Sequence, residues 1–210
     1  LVTLLERTME EAQDASEKSS IAMEIARLYR DEIGDGNRFT EWADKAWNLS
    51  KEDPQVVVEI VDYIFGTENA AAAGPYLEWL VNYLEAKRRL KELPGYANKL
   101  GRILESSGDT RRAVEYYRIC HEHDVTNLAN SLALARLHMH HNELEKATRV
   151  LQALLLRIDS LDASSKREVL LSLARINQAR NDPKKARQFV TRLLSEQPDC
   201  AEAREMLSRL

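Results

Sequence analysis

Leu134-Ala135-Arg136-Leu137 recurs along this chain in four near-copies. The copies are Ile25-Ala26-Arg27-Leu28, Leu100-Gly101-Arg102-Ile103, Leu173-Ala174-Arg175-Ile176 and Leu207-Ser208-Arg209-Leu210. The five arginines lie 75, 34, 39 and 34 residues apart. A period near 34 residues is typical of a solenoid of stacked helix pairs. The pattern therefore predicts an all-α repeat protein whose function lies on a surface and not in a catalytic motif.

A second series of positions lies between these copies. Each member has a residue at position i, a second at i+4 and a small or apolar residue at i+7, which share one face of a helix. The members are Leu5/Met9/Ala12, Phe39/Ala43/Ala46, Trp79/Tyr83/Ala86, Ala113/Tyr117/Cys120, Ala147/Leu151/Leu154 and Ala186/Val190/Leu193. Each triplet is predicted to be the buried stripe of a helix. We call the helix with the arginine motif helix A of its unit and the helix with the triplet helix B.

Two loop insertions explain the longer steps in both series. Residues 66–74 and the linker at residues 51–54 lengthen one step, and residues 159–165 lengthen the other. The second unit is the poorest copy. Its helix A is predicted at residues 54–65, which have apolar positions at helical spacing but lack the arginine motif.

Four short polar segments are predicted to be the turns from helix A to helix B. Gly or Asn tolerates the left-handed conformation after a helix, and Asp caps the helix that follows. The four turns are Gly34-Asp35, Gly108-Asp109, His141-Asn142-Glu143 and Asn181-Asp182-Pro183.

The composition is that of an ordinary globular protein built from helices. The chain has 210 residues, 44% of them hydrophobic, with only seven Gly and five Pro. No apolar run reaches the ~20 residues that a membrane span requires. The formal net charge of −4 argues against non-specific nucleic-acid binding. Two cysteines do not make a disulfide framework, which fits a reducing compartment, and a cytoplasmic location is expected.

The two ends of the chain are interpreted as the cut ends of a longer array. Residues 1–12 have the pattern of a helix B with no helix A before it, and residues 201–210 that of a helix A with no helix B after it. Natural arrays end in polar capping helices, whereas Leu207 and Leu210 would face a missing neighbour. We predict a single array over residues 1–210, with about five and a half repeats. Self-association through the uncapped ends is expected.

In its period and its small and aromatic positions the chain resembles the tetratricopeptide repeat (TPR) family. The family pattern is Trp-x2-Leu-Gly-x2-Tyr, then Ala-x3-Phe and then Pro, over 34 residues. The matching positions are Ala97, Leu100, Gly101, Gly108, Ala113, Tyr117 and Cys120 in the third unit, Ala22, Ile25, Ala26, Tyr29 and Gly34 in the first, and Leu170, Leu173, Ala174, Ala186, Val190 and Pro198 in the fifth. The resemblance covers nearly the whole chain. It implies a right-handed superhelix of antiparallel helix pairs, with helix A residues lining a concave groove that holds peptides or partner helices.

The five histidines do not form one site in the predicted arrangement. His121 is expected beside the start of the next helix, near Leu128, and His138 lies about ten residues, or roughly 15 Å, further along that helix. We therefore expect solvated histidines at helix ends, with His138 half-buried, and no bound metal. No nucleophile–base set, phosphate loop or HExxH pattern occurs in the sequence. Neither an enzyme nor a cofactor is expected in this chain.

The motif arginines are the candidate binding residues, because the family resemblance places them on the concave face. Several buried guanidiniums without partners would be too costly for a core position. Three arginines have an acid three or four positions away, which explains them as local ion pairs. The pairs are Arg27 with Asp31, Arg102 with Glu105 and Arg209 with Glu205. Arg136 and Arg175 have no acid at these spacings.

Arg136 and Arg175 are predicted to form a surface for an anionic and apolar partner, because a guanidinium presents a planar fork to a carboxylate. Their neighbours on the same helix face are Leu132, Met139 and His140 in one helix and Leu171 and Gln178 in the other. Asn98 with Arg102 extends the set. The alternative is that each arginine is paired locally and merely solvates the groove. The family's carboxylate clamp uses a Lys that is missing here, so a receptor for chaperone C-terminal tails is not expected.

These observations predict a non-enzymatic protein-interaction module that holds an acidic or acidic-apolar peptide or partner segment in its groove. Two alternatives stay open. The chain is a structural spacer or assembly segment of a larger protein, or it is a regulatory sensor domain attached to an enzyme outside this fragment. An exposed apolar groove favours the interaction module, and a charged, self-paired groove favours the spacer.

Overall fold

The computed structural model describes residues 1–50, 53–67 and 69–210. Within these ranges all regular structure is helical and no strand occurs, which confirms the predicted all-α class. The helices belong to two compact units, Leu1–Gly108 and Asp109–Leu210. That residues 1–210 form one continuous array stays a prediction. Lys51, Glu52 and Glu68, which belong to the predicted insertions, lie outside the described residues.

The first unit contains the helices α1 (Val2–Glu11), α2 (Ala15–Leu28), α3 (Gly36–Leu49), α4 (Pro54–Phe65), α5 (Gly74–Ala86) and α6 (Leu93–Ser106). Each helix packs against the next, and α2 with α3 forms the most extensive pair. A π-helical turn at Tyr29–Ile33 extends α2, and a 3-10 turn at Ala70–Ala73 occupies the insertion before α5. Helix α4, which is helix A of the second repeat, has the bounds that the sequence predicts.

The second unit contains the helices α7 (Thr110–His123), α8 (Leu128–His140), α9 (Leu144–Leu155), α10 (Ala163–Ala179), α11 (Pro183–Glu196) and α12 (Ala201–Arg209). The pairs α8 with α9 and α10 with α11 pack most closely, and α10 also contacts α8 and α9. The predicted insertion contributes a 3-10 turn at Ile158–Ser160 and the first turn of α10, which has 17 residues.

The four predicted turns from helix A to helix B are confirmed. Each has one residue in the left-handed conformation, where Gly and Asn are tolerated best. These are Gly34 (φ 75°), Gly108 (φ 86°), Asn142 (φ 59°) and Asn181 (φ 57°). In three of the turns an aspartate caps the next helix by accepting backbone N–H groups. These caps are Asp35 on α3, Asp109 on α7 and Asp182 on α11.

Helix B buries its predicted stripe in most units. Four triplets are at most 1% exposed, and they are Phe39/Ala43/Ala46, Ala113/Tyr117/Cys120, Ala147/Leu151/Leu154 and Ala186/Val190/Leu193. In α1 and the residue after it, Met9 and Ala12 are buried while Leu5 is partly exposed. The spacing rule therefore identifies the core face of these helices.

The triplet predicted for α5 is wrong. Trp79 and Tyr83 are partly exposed and stack on each other, with ring centroids 5.1 Å apart. The buried stripe begins two residues earlier, at Leu77, and continues with Val81 and Leu84, all at most 1% exposed. Both triplets have the same spacing. The prediction chose the one that contains the large aromatic residues, and that choice was wrong. The aliphatic stripe is buried because it turns all its surface to the neighbouring helices, whereas the two rings bury part of their area on each other.

Replacing Tyr117 by Ala is expected to lower the free energy of unfolding by about 3–5 kcal/mol, because a large buried side chain leaves a cavity. Tyr117 is 1% exposed. The matched control is Tyr83→Ala, which removes a partly exposed ring of the same size and should have a smaller effect. Urea denaturation followed by circular dichroism measures both. Equal losses for the two variants would contradict the assigned core.

Candidate functional site

The exposed side of the helix A elements forms the candidate site. We call it the helix-A face, and each unit has its own. It is the solvent side of α2, α4 and α6 in the first unit, and separately that of α8, α10 and α12 in the second. The motif arginines are all exposed there. The residues next to them point inward, as at Arg136, which lies between buried Ala135 and Leu137.

Glu59 of α4 is the acid around which the helix-A face of the first unit is organised. Arg27 of α2 donates to both carboxylate oxygens of Glu59, at 2.8 Å through Nη2, and Arg30 donates through Nη1, also at 2.8 Å. Burial opposes ionisation of Glu59, but the hydrogen bonds from the two arginines outweigh it and lower its pKa. The predicted local pair of Arg27 with Asp31 is wrong, because Asp31 binds the adjacent Arg30 instead.

Lys99 of α6 links α4 to α6. Its Nζ lies 2.8 Å from Oδ1 of Asp62. The same Nζ lies 5.3 Å from the ring centroids of Phe65 and Tyr96. A cation over a ring face is attracted by the ring quadrupole. Lys99 therefore contacts Asp62 and Phe65 of α4 as well as Tyr96 of its own helix.

Arg102 differs from these cations because, among the residues that the structure describes, it contacts a ring and no acid. Its guanidinium carbon lies 5.4 Å from the ring centroid of Phe65. Within residues 1–50, 53–67 and 69–210 it makes no ion pair or hydrogen bond, so the predicted pair with Glu105 is not formed. Asn98, one turn earlier in α6, is partly exposed. The side chain of Arg102 is thus held in place with its donors open to solvent.

A cavity of about 540 Å³ opens between α4 and α6, with α5 as its floor. Its apolar part includes Val58 and Tyr96, with the buried side chains Leu80 and Leu84 below. Arg89 on its rim is paired with Glu92, at 2.7 Å. Half of the twelve lining residues are polar or charged, so the cavity offers both apolar and charged contacts to a ligand.

In the second unit the motif arginines already have partners. Arg175 of α10 pairs with Glu202 of α12, with both side chains about half exposed (48% and 49%). Arg136 of α8 is also not without a partner. The expectation of two unpaired guanidiniums is therefore wrong. For Arg175 the reason is that its acid lies 27 residues away on another helix. The predicted local pair of Arg209 with Glu205 is present.

The apolar neighbours predicted for Arg136 and Arg175 are only partly on the surface. Leu132 and Leu171 are 9% and 4% exposed, so their predicted place on the binding surface is wrong. Both precede the arginine by four residues and lie on the same side of the helix as the residue three positions after it, so their burial depends on the neighbouring helices and not on the helical spacing. Met139 and Gln178 follow the arginine by three residues and are partly or fully exposed.

Two of the five histidines are held by hydrogen bonds to neighbouring side chains. Nδ1 of His121 lies 2.9 Å from Oγ of Ser131, and Nδ1 of His138 lies 2.7 Å from Oε2 of Glu143. His138 is 5% exposed, hence buried and not half-buried. Both histidines line one cavity, together with His141. No group of three metal-binding side chains with suitable geometry occurs in the part of the chain that the structure describes.

No described helix is both long enough and apolar enough to span a bilayer. Residues 98–129 match the family model of the tetratricopeptide repeat. A comparison with curated protein sequences gives no significant match.

Among solved structures the chain is similar to YrrB, a TPR protein with an unusual peptide-binding site. The identity is 15%, both chains are covered completely and the TM-score is 0.65. Pseudomonas aeruginosa PilF is 16% identical over 98% of this chain and 87% of its own, with a TM-score of 0.55. PilW, a widely conserved type IV pilus biogenesis factor, is 16% identical over 98% of this chain and 96% of its own, with a TM-score of 0.54.

The chain has the fold of the tetratricopeptide repeat proteins, and residues 98–129 carry the sequence pattern of the repeat. The resemblance predicted from the sequence is thus confirmed. Repeats of this kind form extended surfaces that bind other proteins. The fold therefore suggests a protein–protein interaction module.

The pair between Arg175 and Glu202 predicts a specific result for charge reversal. Arg175→Glu places two acids together and should lower the melting temperature. The double variant Arg175→Glu/Glu202→Arg restores opposite charges and should recover most of the loss, with a coupling of about 0.2–1 kcal/mol because the pair is exposed. Thermal denaturation of the four proteins of this cycle gives the coupling. Additive effects of the two single reversals would show that the pair does not form.

Glu59 predicts a dependence of stability on pH. Because its pKa in the folded state lies below the ordinary value of 4.5, its contribution is present above pH 4.5 and is lost as the pH falls through the folded-state pKa. Glu59→Gln should therefore be less stable than the parent at pH 7, and the difference in the free energy of unfolding should shrink progressively below pH 4.5. Urea denaturation across pH 3–7 measures this difference.

The control is Glu41→Gln, which affects an exposed pair within one helix. Parallel pH profiles for the parent and Glu59→Gln would refute the assignment.

Proposed function

We propose that this chain is a non-enzymatic protein-interaction module that binds an acidic-apolar peptide or partner segment on the helix-A face of its first unit. The observation that carries the proposal is Arg102, an exposed cation that rests on the ring of Phe65. Such a guanidinium keeps its planar donor edge free for a carboxylate.

The charges around Arg102 support an acidic contact at this position. Arg27 and Arg30 are bound by Glu59, and Lys99 is bound by Asp62. An added carboxylate would have to compete with these internal acids. At Arg102 no internal acid competes among the described residues, so a partner's Asp or Glu gains the full charge-assisted hydrogen bond there.

The apolar half of the segment has a place in the cavity between α4 and α6. Tyr96, which lines that cavity, precedes Arg102 by six residues in α6, or roughly 9 Å along the helix. Side chains about three residues apart in an extended segment span a similar distance. One apolar side chain beside Tyr96 and one acidic side chain at Arg102 therefore match a short extended segment.

The residues predicted in the second unit are secondary in this proposal. Glu202 occupies Arg175, so a partner's acid would have to displace it. Arg136, Met139 and Gln178 are exposed or partly exposed on the helix A side of the second unit, and Asn98 lies one turn before Arg102 in the first.

A structural spacer is the second candidate, because ion pairs join successive A helices. They link α2 to α4 through Glu59, α4 to α6 through Asp62 and Lys99, and α10 to α12 through Arg175. A face that satisfies most of its own charge can hold helices in register without any ligand. The open donors of Arg102 are what favours the interaction module.

A random peptide library displayed on phage and selected against the chain tests the proposal. The enriched peptides should carry Asp or Glu about three residues from a Leu, Phe or similar apolar residue. Arg102→Gln should weaken a representative peptide by roughly tenfold or more, since a charge-assisted contact is lost. The matched control is Arg7→Gln on α1, which removes another exposed arginine. Peptides that bind Arg102→Gln as well as the parent would refute the site, and the absence of any enrichment would favour the spacer.

A further inference from the structure

A second cavity, of about 650 Å³, lies within the second unit. It is bounded by the B helices α7 and α9 of neighbouring pairs, and its floor is the packed side of α8, where Leu134 and His138 are 1% and 5% exposed. It is therefore separate from the helix-A face. Its volume falls in the range of sites for small molecules.

Most of the acids that line this cavity are already neutralised. Glu122 accepts a hydrogen bond from Arg118 at 2.5 Å within α7. Glu143 is held by Nζ of Lys146 at 2.9 Å and by Nδ1 of His138 at 2.7 Å. These two carboxylates are not open to a cationic ligand.

Two arginines on opposite walls have no such partner. Arg111 lies in the first turn of α7 and Arg149 lies in α9, and both are exposed. Within the described ranges neither makes an ion pair or a hydrogen bond. Glu115 is the one acid of the lining that is likewise unpaired there. Two free cations against one free anion leave the cavity with a surplus positive charge.

The histidines do not change this balance near neutral pH. Burial, and then the charge of Arg157, lower the pKa of His121. Burial also lowers the pKa of His138, and the hydrogen bond with Glu143 offsets this only in part. Both rings are therefore neutral at pH 7 and serve as reporters within the cavity.

We infer that this cavity binds a small anionic molecule through a phosphate or carboxylate group held between Arg111 and Arg149. Guanidinium groups bind both kinds of anion with two parallel hydrogen bonds. Val114 and Val150 beside the arginines supply an apolar wall for the rest of the molecule.

The experiment is a titration of the chain with inorganic pyrophosphate and, separately, with succinate at pH 7. The ring signals of His121 and His138 in proton–carbon NMR spectra should shift in a saturable manner with at least one of the two. Arg111→Gln/Arg149→Gln should weaken that binding by roughly tenfold or more. The matched control is Arg180→Gln/Arg187→Gln, which removes the same charge from two exposed arginines outside the cavity.

Tighter binding of pyrophosphate would assign the site to phosphates, and tighter binding of succinate would assign it to carboxylates. No saturable shift with either probe would overturn the inference, as would equal weakening in the control. Circular dichroism checks that the variants fold. If the double variant does not fold, Arg149→Lys replaces it and should weaken binding partially, because Lys keeps the charge but loses the fork. Unchanged binding by Arg149→Lys in that case would also overturn the inference.

Discussion

The burial of one apolar stripe per B helix is the constraint on which the rest of the structure depends. A single helix pair has too little apolar surface to fold alone, so each stripe has to be covered by neighbouring helices. Small residues such as Ala43, Ala113 and Ala147, none of them exposed, let those helices approach closely. Once the packing is fixed, the helix A residue after the buried small position has to point to solvent. The regular exposure of the motif position is a consequence of core packing.

The ion pairs that these exposed residues form follow from the same packing. Successive A helices lie side by side within a unit, so an acid on one comes within reach of a cation on the next. Glu59 takes up two arginines and Asp62 takes up Lys99 in this manner. Arg102 escapes this pattern because a ring, Phe65, occupies the neighbouring position on α4. The identity of one residue on the adjacent helix thus decides whether a motif arginine is a structural link or an open donor.

Local features of the fold were predictable from the sequence, and contacts between distant segments were not. The turns at Gly34 and Asn181 depend on backbone conformation and capping, which a few adjacent residues determine. The stripe of α5 was assigned wrongly because two triplets with equal spacing occur in one helix, and only the neighbouring helices distinguish them. The partner of Arg175 lies 27 residues away, so no helical spacing rule can find it. The grouping of His121 with His138 also depends on how α7 crosses α8, which repeat length alone does not determine.

The contact of Arg102 with Phe65 has a consequence for the thermodynamics of recognition. A free arginine side chain on a helix surface samples many rotamers, and fixing it in a complex carries an entropy penalty of up to about 2 kcal/mol. The ring of Phe65 restricts the rotamers of Arg102 before any partner binds, so most of this loss of side-chain entropy occurs during folding. Recognition at this position would then carry a more favourable entropy than at a freely rotating cation, even where the two contacts have the same enthalpy.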